Sequence, residues 1–189
     1  MAADLGWTGV VLTGGASTRM GTDKAFVAVE GAPMALRVAH AMEAAGAERV
    51  MCVGGDLERL RSLGIETAPD LHPGDGPLGG LLSAFDAAAD AAVLLVAPCD
   101  LLAPSPAAFR AIIAALQRSH ATAVVPVARG VRQPLNGAYR AAARESLNDV
   151  FAAGERSVKG ALAAISIDEL DDIDPAALAD ADTPDDLLT

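Results

Sequence analysis

The sequence predicts an α/β fold with a mostly parallel central sheet that helices cover on both faces. Short apolar runs, partly β-branched, alternate along the chain with segments of helical pattern, as in folds built from strand and helix units. The composition is 52% apolar over 189 residues, which is enough for one sizeable core. We therefore expect residues 1–189 to form a single domain.

Four apolar runs have the length and composition of buried strands. They are residues 7–12, 50–53, 93–97 and 122–127. A shorter strand-like segment precedes Asp70. Because these runs are separated by helical segments, neighbouring strands are expected to run parallel.

The predicted helices have recognisable ends. The first spans residues 33–45, with Pro33 in its first turn and Gly46 beyond its last turn. N-cap residues mark the start of three of the others, and a glycine marks the end of a fourth. These are a helix from Asp56 that stops before Gly64, one from Ser105, one over residues 139–153 that ends at Gly154, and one from Thr183.

The net charge of −11 is unevenly distributed, and its distribution argues against nucleic-acid binding. Nine of the 25 acidic residues lie between Asp168 and Asp186, where the chain has no Lys or Arg, and the rest of the chain is close to neutral. A nucleic-acid-binding protein would present a basic face. An acidic protein still binds a polyphosphate where local cations, a metal and main-chain N–H groups act together.

Nothing in the sequence predicts secretion or membrane insertion. The first residues carry an acid where a signal peptide has its basic region, and no apolar run approaches the length of a membrane span. Cys52 and Cys99 lie in or at the end of apolar runs and form no C-x-x-C pair, which predicts buried thiols. We expect a cytoplasmic protein without a membrane partner.

Residues 12–24, LTGGASTRMGTDK, form a polar, glycine-rich loop directly after the first predicted strand. The loop is therefore expected at the carboxyl edge of the sheet, where open α/β sheets bind ligands. Its three glycines free the main chain to turn amides toward an anion, and it carries Arg19 and Lys24. The spacing fits neither a P-loop nor G-x-G-x-x-G. These features favour a phosphate-binding loop over a glycine-rich connection without a ligand.

Asp100 is the candidate metal ligand. It ends the run VLLVAPCD, so its carboxylate is expected at the carboxyl edge of a central strand, beside the glycine loop. One or two carboxylates and nucleotide oxygens are the usual ligands of Mg²⁺. A turn-forming role near Pro104 is the alternative. His40, His72 and His120 are scattered without metal-ligand spacing, and we expect them to be structural or exposed.

Five motifs in order resemble those of the molybdenum cofactor nucleotidyltransferases. They are GG-x-S-x-RMG-x-DK at residues 14–24, GPLGG at 76–80, PCD at 98–100, GER at 154–156 and DTPDDL at 182–187. LTGG at residues 12–15, together with GPLGG, is similar to the guanylyltransferase branch of that family, whereas the cytidylyltransferase branch usually has LAAG. The motifs cover nearly the whole chain.

The resemblance implies a three-layer, Rossmann-like nucleotidyltransferase fold and a specific reaction. The enzyme would transfer GMP from Mg-GTP to the terminal phosphate of molybdenum-loaded molybdopterin and release pyrophosphate. GTP and molybdopterin would be its substrates and Mg²⁺ its cofactor, with transient contact to molybdoenzyme chaperones and a monomeric state. The alternatives are transfer of CMP or another nucleotide to a different small phosphate, and a non-catalytic cofactor-binding module of the same fold.

The resemblance also assigns site residues. The nucleotide-binding residues are Leu12, Thr13, Gly14, Gly15, Lys24, Asp70, Gly76, Pro77, Leu78, Gly79 and Asp100. The catalytic residues are Lys24, Arg19 and Asp100. The metal ligands are Asp100 and Asp182, with Asp180 as a rival to Asp182 and helix capping as an equal alternative role for either of these two. The acceptor-binding residues are Arg132, Gln133, Arg156 and Lys159.

The chain departs from the family pattern at two places. Val53-Gly54 stands where relatives tend to have an asparagine, so a contact to the base or ribose is either missing or supplied by the main chain. Leu101-Leu102 stands where relatives commonly have a proline, which predicts an altered turn with an effect on acceptor geometry.

Overall fold

The computed structural model describes residues 6–14 and 23–181. The strands are β1 (Thr8–Leu12), β2 (Ala28–Val29), β3 (Ala32–Pro33), β4 (Arg49–Val53), β5 (Glu66–Ala68), β6 (Val93–Pro98), β7 (Ala123–Ala128), β8 (Val131–Arg132), β9 (Ala138–Arg140) and β10 (Ile167–Leu170). The helices are α1 (Met34–Ala45), α2 (Leu57–Ser62), α3 (Gly76–Ala87), α4 (Pro106–Arg118), α5 (Ala143–Ala152) and α6 (Val158–Ala161).

One eight-stranded sheet organises the molecule, in the order β10-β7-β9-β6-β1-β4-β5, with β8 paired to β7. The central strand β1 pairs in parallel with β4 and β6, and the pairs β4–β5 and β7–β10 are also parallel. β9 runs antiparallel between β6 and β7, and β8 runs antiparallel to β7. The predicted, mostly parallel sheet is confirmed.

The sheet buries apolar side chains on both faces. Val11 belongs to a cluster that includes residues of α1 and α4, whereas its neighbour Val10 belongs to a second cluster with residues of α3 and α5. Successive strand residues point to opposite faces, so a strand buried on both faces is apolar throughout. Cys52 and Cys99 are buried in the first cluster as free thiols, as predicted.

The predicted end of α1 and the predicted N-caps of α2 and α4 are confirmed, whereas Pro33 ends β3 and precedes α1 instead of lying in its first turn. α1 stops at Gly46, whose φ of 102° lies in the left-handed region that glycine tolerates. Asp56 caps α2 by accepting a hydrogen bond from the Arg59 N–H, and Ser105 caps α4 by accepting one from the Ala108 N–H. Local side-chain chemistry therefore sets these boundaries.

The helix predicted over residues 139–153 is wrong in its first part. Ala138–Arg140 forms β9, and α5 begins only at Ala143. Tyr139 is fully buried in the second cluster, and its strand joins β6 to β7 by pairing with both. Pairing within the sheet outweighs the local helical pattern of this short segment.

The GPLGG motif forms the first turns of α3. Leu78, Leu81, Leu82 and Phe85 recur at helical spacing and are buried in the second cluster, which holds the helix in place despite its glycines. The helix predicted from Thr183 lies outside the described residues. Among the helices within residues 6–14 and 23–181, none has the length and apolar character needed to cross a membrane.

Candidate functional site

Parallel strands end at one edge of the sheet and bring several predicted site residues together. Leu12 ends β1 and lies opposite Pro98 at the end of β6. Thr13 follows Leu12, Asp70 follows β5, and Asp100 follows β6. The carboxyl edge of an open α/β sheet is the usual place for a ligand. The start of the glycine loop and Asp100 therefore share the edge that the sequence predicts for them.

Thr13 ties the start of the glycine loop to the end of β4. Its Oγ1 lies 2.8 Å from the Gly54 carbonyl oxygen and 3.1 Å from the Val53 carbonyl oxygen. The N–H groups of Thr13 and Gly14 approach the same Val53 carbonyl at 3.0 and 3.2 Å. The Thr13 side chain is buried, so its hydroxyl fixes the path of the loop.

Gly54 and Gly55 let two loops approach at main-chain distance. Their φ angles are 82° and 71°, in the left-handed region. A Cβ on Gly54 would lie 2.9 Å from the Gly14 Cα, and one on Gly55 would lie 2.9 Å from the Thr13 carbonyl oxygen. In the sequence, Gly54 stands out only as a departure from the family pattern. Consecutive glycines directly after a strand are the signal that identifies this contact.

Asp70 is oriented by its neighbours at this edge. Its Oδ1 accepts hydrogen bonds from the Ser83 hydroxyl at 2.7 Å and from the His72 N–H at 2.9 Å. Ser83 lies on α3, is fully buried and accepts the Leu71 N–H at 2.9 Å. The other carboxylate oxygen, Oδ2, lies 3.5 Å from a Cβ placed on Gly14. The Asp70 carboxylate therefore stands beside the glycine loop with one oxygen fixed.

Lys24 and Asp100 form an ion pair at the same edge. Lys24 Nζ lies 2.9 Å from Asp100 Oδ2, and the two side chains are only 15% and 19% exposed. The Lys24 ammonium also donates to the carbonyl oxygen of Ala181, at 2.5 Å. Two of the three residues predicted to be catalytic are thus in direct contact.

The last described residues run beside the loop that follows β6. The Leu102 N–H donates to the Ala179 carbonyl, and the Ala181 N–H donates to the Asp100 carbonyl, both at 2.9 Å. Between these two bonds, the residues at 101 and 180 face each other in an antiparallel bridge. We call residues 179–181 the C-terminal strap.

Three predicted site residues lie outside the described parts of the chain: Gly15, Arg19 and Asp182. Asp182 directly follows Ala181, whose carbonyl contacts Lys24. Its rival Asp180 is exposed and lies opposite Leu101.

The GER turn packs against the first turn of α3. The Leu78 N–H donates to the Arg156 carbonyl at 3.0 Å, and a Cβ on Gly76 would lie 3.0 Å from the same oxygen. Arg156 Nε lies 3.5 Å from Asp75 Oδ1, and its guanidinium carbon lies 4.2 Å from the centre of the Phe151 ring. Two motifs far apart in the sequence therefore form one surface.

The four predicted nucleotide contacts on α3 differ in accessibility. Gly76 and Pro77 are exposed, whereas Leu78 and Gly79 are buried. The Leu78 N–H is engaged by the GER turn, and a Cβ on Gly79 would lie 2.8 Å from the His72 Cβ. Leu78 and Gly79 therefore hold α3 against its surroundings, and Gly76 and Pro77 form its exposed start.

Glu155 shapes the GER turn, and although it belongs to that motif it is not among the site residues assigned from the sequence. Its Oε1 accepts hydrogen bonds from the N–H groups of Ser157 and Arg156, at 2.7 and 2.8 Å. These two hydrogen bonds hold the pKa of the Glu155 carboxyl below its usual value. An acid within a turn that precedes a helix is the sequence signal for this role.

The predicted acceptor residues fall into two groups. Arg132 lies in β8, and its Nε donates to Glu169 Oε1 on β10 at 2.6 Å. The Gln133 N–H donates to the main chain of β7 at 2.8 Å. Arg156 lies beside α3, and Lys159 is exposed on α6. Arg156 and Lys159 therefore lie on either side of the start of α6, whereas Arg132 and Gln133 lie beside β7.

The donor groups at this edge fit Mg²⁺ bound together with a nucleotide. Within residues 6–14 and 23–181, no group of three or more His, Cys, Asp or Glu side chains is placed to enclose a metal. Burial raises the pKa of the Cys99 thiol and the nearby Asp100 charge raises it further, so Cys99 stays protonated and supplies no thiolate. Mg²⁺ commonly takes one or two carboxylates and completes its shell with water and substrate phosphates, which the Asp100 carboxylate satisfies.

Comparisons with known proteins agree in one family. A family model described as a MobA-like NTP transferase domain matches residues 9–170. A molybdenum cofactor guanylyltransferase of Xanthomonas euvesicatoria pv. vesicatoria (strain 85-10) is 45% identical over 95 residues, which span 50% of this chain and 47% of that protein. A probable molybdenum cofactor guanylyltransferase of Chloroflexus aggregans (strain MD-66 / DSM 9485) is 33% identical over 194 residues, which span 95% of this chain and 91% of that protein. The chain thus spans about half the length of the first relative and nearly all of the second.

A solved structure has the same fold. The crystal structure of molybdopterin-guanine dinucleotide biosynthesis protein A from Archaeoglobus fulgidus superposes with a TM-score of 0.79 at 21% identity, over 96% of this chain and 95% of that chain. At this identity the likeness shows the fold alone. The family model extends from within β1 to the end of β10, and the relative from Chloroflexus aggregans covers nearly the whole chain. The chain therefore belongs to the MobA-like NTP transferase family.

Proposed function

We propose that the protein transfers GMP from GTP to the terminal phosphate of molybdenum-loaded molybdopterin and releases pyrophosphate. The observation that carries the proposal is the Lys24–Asp100 ion pair beside the glycine loop, at the carboxyl edge of the sheet. Family membership supports nucleotidyl transfer, and relatives named as molybdenum cofactor guanylyltransferases support GTP as the donor. The LTGG and GPLGG motifs support the same donor.

The reaction requires charge neutralisation more than proton transfer. A phosphate monoester has its second pKa near 6, so the acceptor is largely a dianion at pH 7 and needs no general base. One of its oxygens attacks the α-phosphorus of GTP, and the bond from that phosphorus to the oxygen bridging to the β-phosphorus breaks. The bonding electrons leave with pyrophosphate. Repulsion between the dianion and the triphosphate opposes the approach, and cations must offset it.

We assign the triphosphate to Lys24 and Arg19, and the metal to Asp100 with Asp182 as a second carboxylate. Lys24 is held in a largely buried position, so it needs little reorganisation to face an anion. When bound, Mg²⁺ supplies electrostatic stabilisation of the charge on the phosphate oxygens. Asp100 follows the end of β6, which gives its carboxylate a fixed base.

The remaining contacts follow from accessibility and charge. The main chain at Leu12 to Gly15 and the exposed start of α3 at Gly76 and Pro77 would border the nucleotide. The Asp70 carboxylate accepts N–H or O–H groups and would bond the nucleoside. Arg156 and Lys159 would bind the acceptor phosphate, and Arg132 and Gln133 would contact the acceptor further from the α-phosphorus.

Thermal unfolding with Mg²⁺ and each of GTP, CTP, ATP and UTP tests the donor. A nucleotide at about a hundred times its Kd adds about 2.7 kcal/mol to the free energy of unfolding. We expect the midpoint to rise for GTP alone, and the variant Lys24→Met to lose most of that rise. A rise for CTP instead of GTP would contradict the assignment. Incubation with GTP and molybdenum-loaded molybdopterin should then yield the dinucleotide and pyrophosphate in equal amounts.

We also propose that the chain forms one domain and acts as a monomer in the cytoplasm. One eight-stranded sheet with a core on each face supports one domain. Within the described residues the large apolar side chains that are exposed, Leu71 and Val131, are distant in the sequence and do not make a continuous run. Light scattering at micromolar concentration measures the oligomeric state, and a dimer mass would contradict this part of the proposal.

A further inference from the structure

The contact between Lys24 and Ala181 joins a charged side chain of the site to the main chain near the end of the described residues. The Lys24 ammonium donates to the Ala181 carbonyl oxygen at 2.5 Å and to Asp100 Oδ2 at 2.9 Å. The carbonyl is neutral, so it fixes the ammonium without cancelling its charge. The Asp100 carboxylate also fixes the ammonium, and in addition its negative charge compensates the positive charge of Lys24.

The C-terminal strap is fixed in register beside Asp100. Two hydrogen bonds, each 2.9 Å long, flank the bridge between residues 101 and 180. The Leu102 N–H donates to the Ala179 carbonyl, and the Ala181 N–H donates to the Asp100 carbonyl. Leu178, which precedes the strap, is buried in the first core cluster. The position of the Ala181 carbonyl is therefore set by the loop after β6 on one side and by the core on the other.

The loop after β6 has an anchor that does not depend on the strap. Arg37 Nη1 on α1 donates to the Leu102 carbonyl at 2.9 Å. The N–H of Leu102 binds the strap while its carbonyl binds α1. A change that removes only the N–H of Leu102 therefore removes one of the two hydrogen bonds that hold the strap and leaves the loop attached to α1.

We propose that the C-terminal strap positions Lys24 for the triphosphate through the Ala181 carbonyl, and that the N–H of Leu102 locks the strap in place. The proposal rests on the proposed function for the identity of the anion. A site that uses the Asp100 carboxylate for a metal needs another acceptor for the ammonium, because one carboxylate cannot serve both fully. The Ala181 carbonyl is such an acceptor, and because it is neutral it holds the ammonium without compensating its charge.

Lysine acylation tests the lock without any nucleotide. The chain has two lysines, Lys24 and Lys159, and Lys159 is exposed on α6 and serves as the internal reference. The variant Leu102→Pro removes the N–H, and its control Leu102→Ala keeps the N–H and shortens the side chain. Proline favours an extended preceding residue, which agrees with Leu101 in a β-bridge.

We expect the ratio of Lys24 to Lys159 acylation, read by peptide mass spectrometry, to rise about tenfold in Leu102→Pro, the factor that corresponds to losing one charge-assisted hydrogen bond. The ratio in Leu102→Ala should stay within about twofold of the wild type. An unchanged ratio in a folded Leu102→Pro, or an equal rise in both variants, would overturn the lock. If circular dichroism shows that Leu102→Pro is unfolded, Ala181→Pro against Ala181→Gly tests the other flanking bond by the same ratio.

Calorimetric binding of Mg-GTP tests the link to the triphosphate. Ala181→Pro, which removes the other flanking N–H, should weaken binding about tenfold in the wild-type background and have no further effect in Lys24→Met, because the strap acts through that lysine. If the double variant loses affinity by the product of the two single losses, the strap supports the site independently of Lys24. The positioning role would then be wrong. A wild type that binds no GTP would contradict the proposed function, while the acylation ratio would still decide whether the strap holds Lys24.

Discussion

Gly54 lies against the main chain of the glycine loop at Gly14. A Cβ on Gly54 would lie 2.9 Å from the Gly14 Cα and 3.0 Å from the Gly14 N, and neither atom belongs to a flexible side chain. Gly64 has nearly the same φ, 81°, but has nothing within 4 Å of an added Cβ. The two glycines therefore separate the effect of backbone strain from that of crowding.

We predict that Gly54→Ala lowers the free energy of unfolding more than Gly64→Ala does. Both variants carry the strain of a left-handed L-residue, about 1–2 kcal/mol, and Gly54→Ala adds overpacking of about 1–3 kcal/mol. Urea unfolding of both variants measures the difference. Equal losses would mean that the loops after β1 and β4 can move apart without cost. The close approach of Gly54 to Gly14 would then contribute nothing to stability.

Asp100 is the residue whose charge matters most in the proposed reaction. In Asp100→Asn an oxygen still accepts from Lys24, but the negative charge that would bind Mg²⁺ is lost. We predict that turnover of GTP falls about 10²-fold or more, the effect of removing one electrostatic contact in a transition state, while circular dichroism stays unchanged. The exposed Asp171→Asn should keep wild-type rates. An Asp100→Asn enzyme within about threefold of the wild type would exclude Asp100 as the metal ligand.

At the scale of single elements, α3 determines the orientation of Asp70. Ser83 on this helix accepts the Leu71 N–H and donates toward Asp70 Oδ1. We predict that Ser83→Ala lowers the free energy of unfolding by about 1–3 kcal/mol, because polar groups in a buried position lose their partner. Exposed Ser62 also hydrogen-bonds the main chain, and Ser62→Ala should change stability by less than about 0.5 kcal/mol. Thermal or urea unfolding measures the stability of both variants. If the two substitutions have equal effects, Ser83 does not support Asp70.

The elements could be predicted where local chemistry decides them. The buried strands β1, β4, β6 and β7 have apolar runs because both of their faces are covered, and the caps Asp56 and Ser105 act within one turn. β9 could not be predicted, since Tyr139 is in a strand only because β6 and β7 lie on either side. In the site, Lys24 and Asp100 were expected at one edge, and they meet there. The Ala181 contact depends on the course of the whole chain and leaves no local signal.

At the scale of the whole molecule, the two thiols link stability to alkaline pH. Burial raises the pKa of Cys52 to about 12, and burial with the charge of Asp100 raises that of Cys99 as well. An unfolded thiol has a pKa near 8.5. Above that pH the unfolded chain loses protons that the folded chain keeps, so the free energy of unfolding falls as pH rises. Below it the thiols contribute no pH dependence.

We predict that the free energy of unfolding is lower at pH 9.5 than at pH 7.5, by about 1.4 kcal/mol for each thiol at one unit above its unfolded pKa. Urea unfolding at the two pH values measures the drop, and a Cys52→Ala, Cys99→Ala double variant should lose most of it. A disulfide-exchange reagent at pH 8 should react with both thiols only in denaturant. Rapid reaction of the native protein would contradict the burial of the thiols.

The central place of β1 has a consequence for synthesis of the chain. β1 is synthesised before both of its neighbours, and one of its edges is filled by β4 and the other only by the later β6, where Thr8 lies opposite Leu94. Until that later segment emerges, an apolar strand keeps an unpaired edge that other nascent chains can join. Pairing over such distances along the chain is also slow. We therefore expect expression yield to depend on temperature and on holdase chaperones more than the stability of the finished protein would suggest.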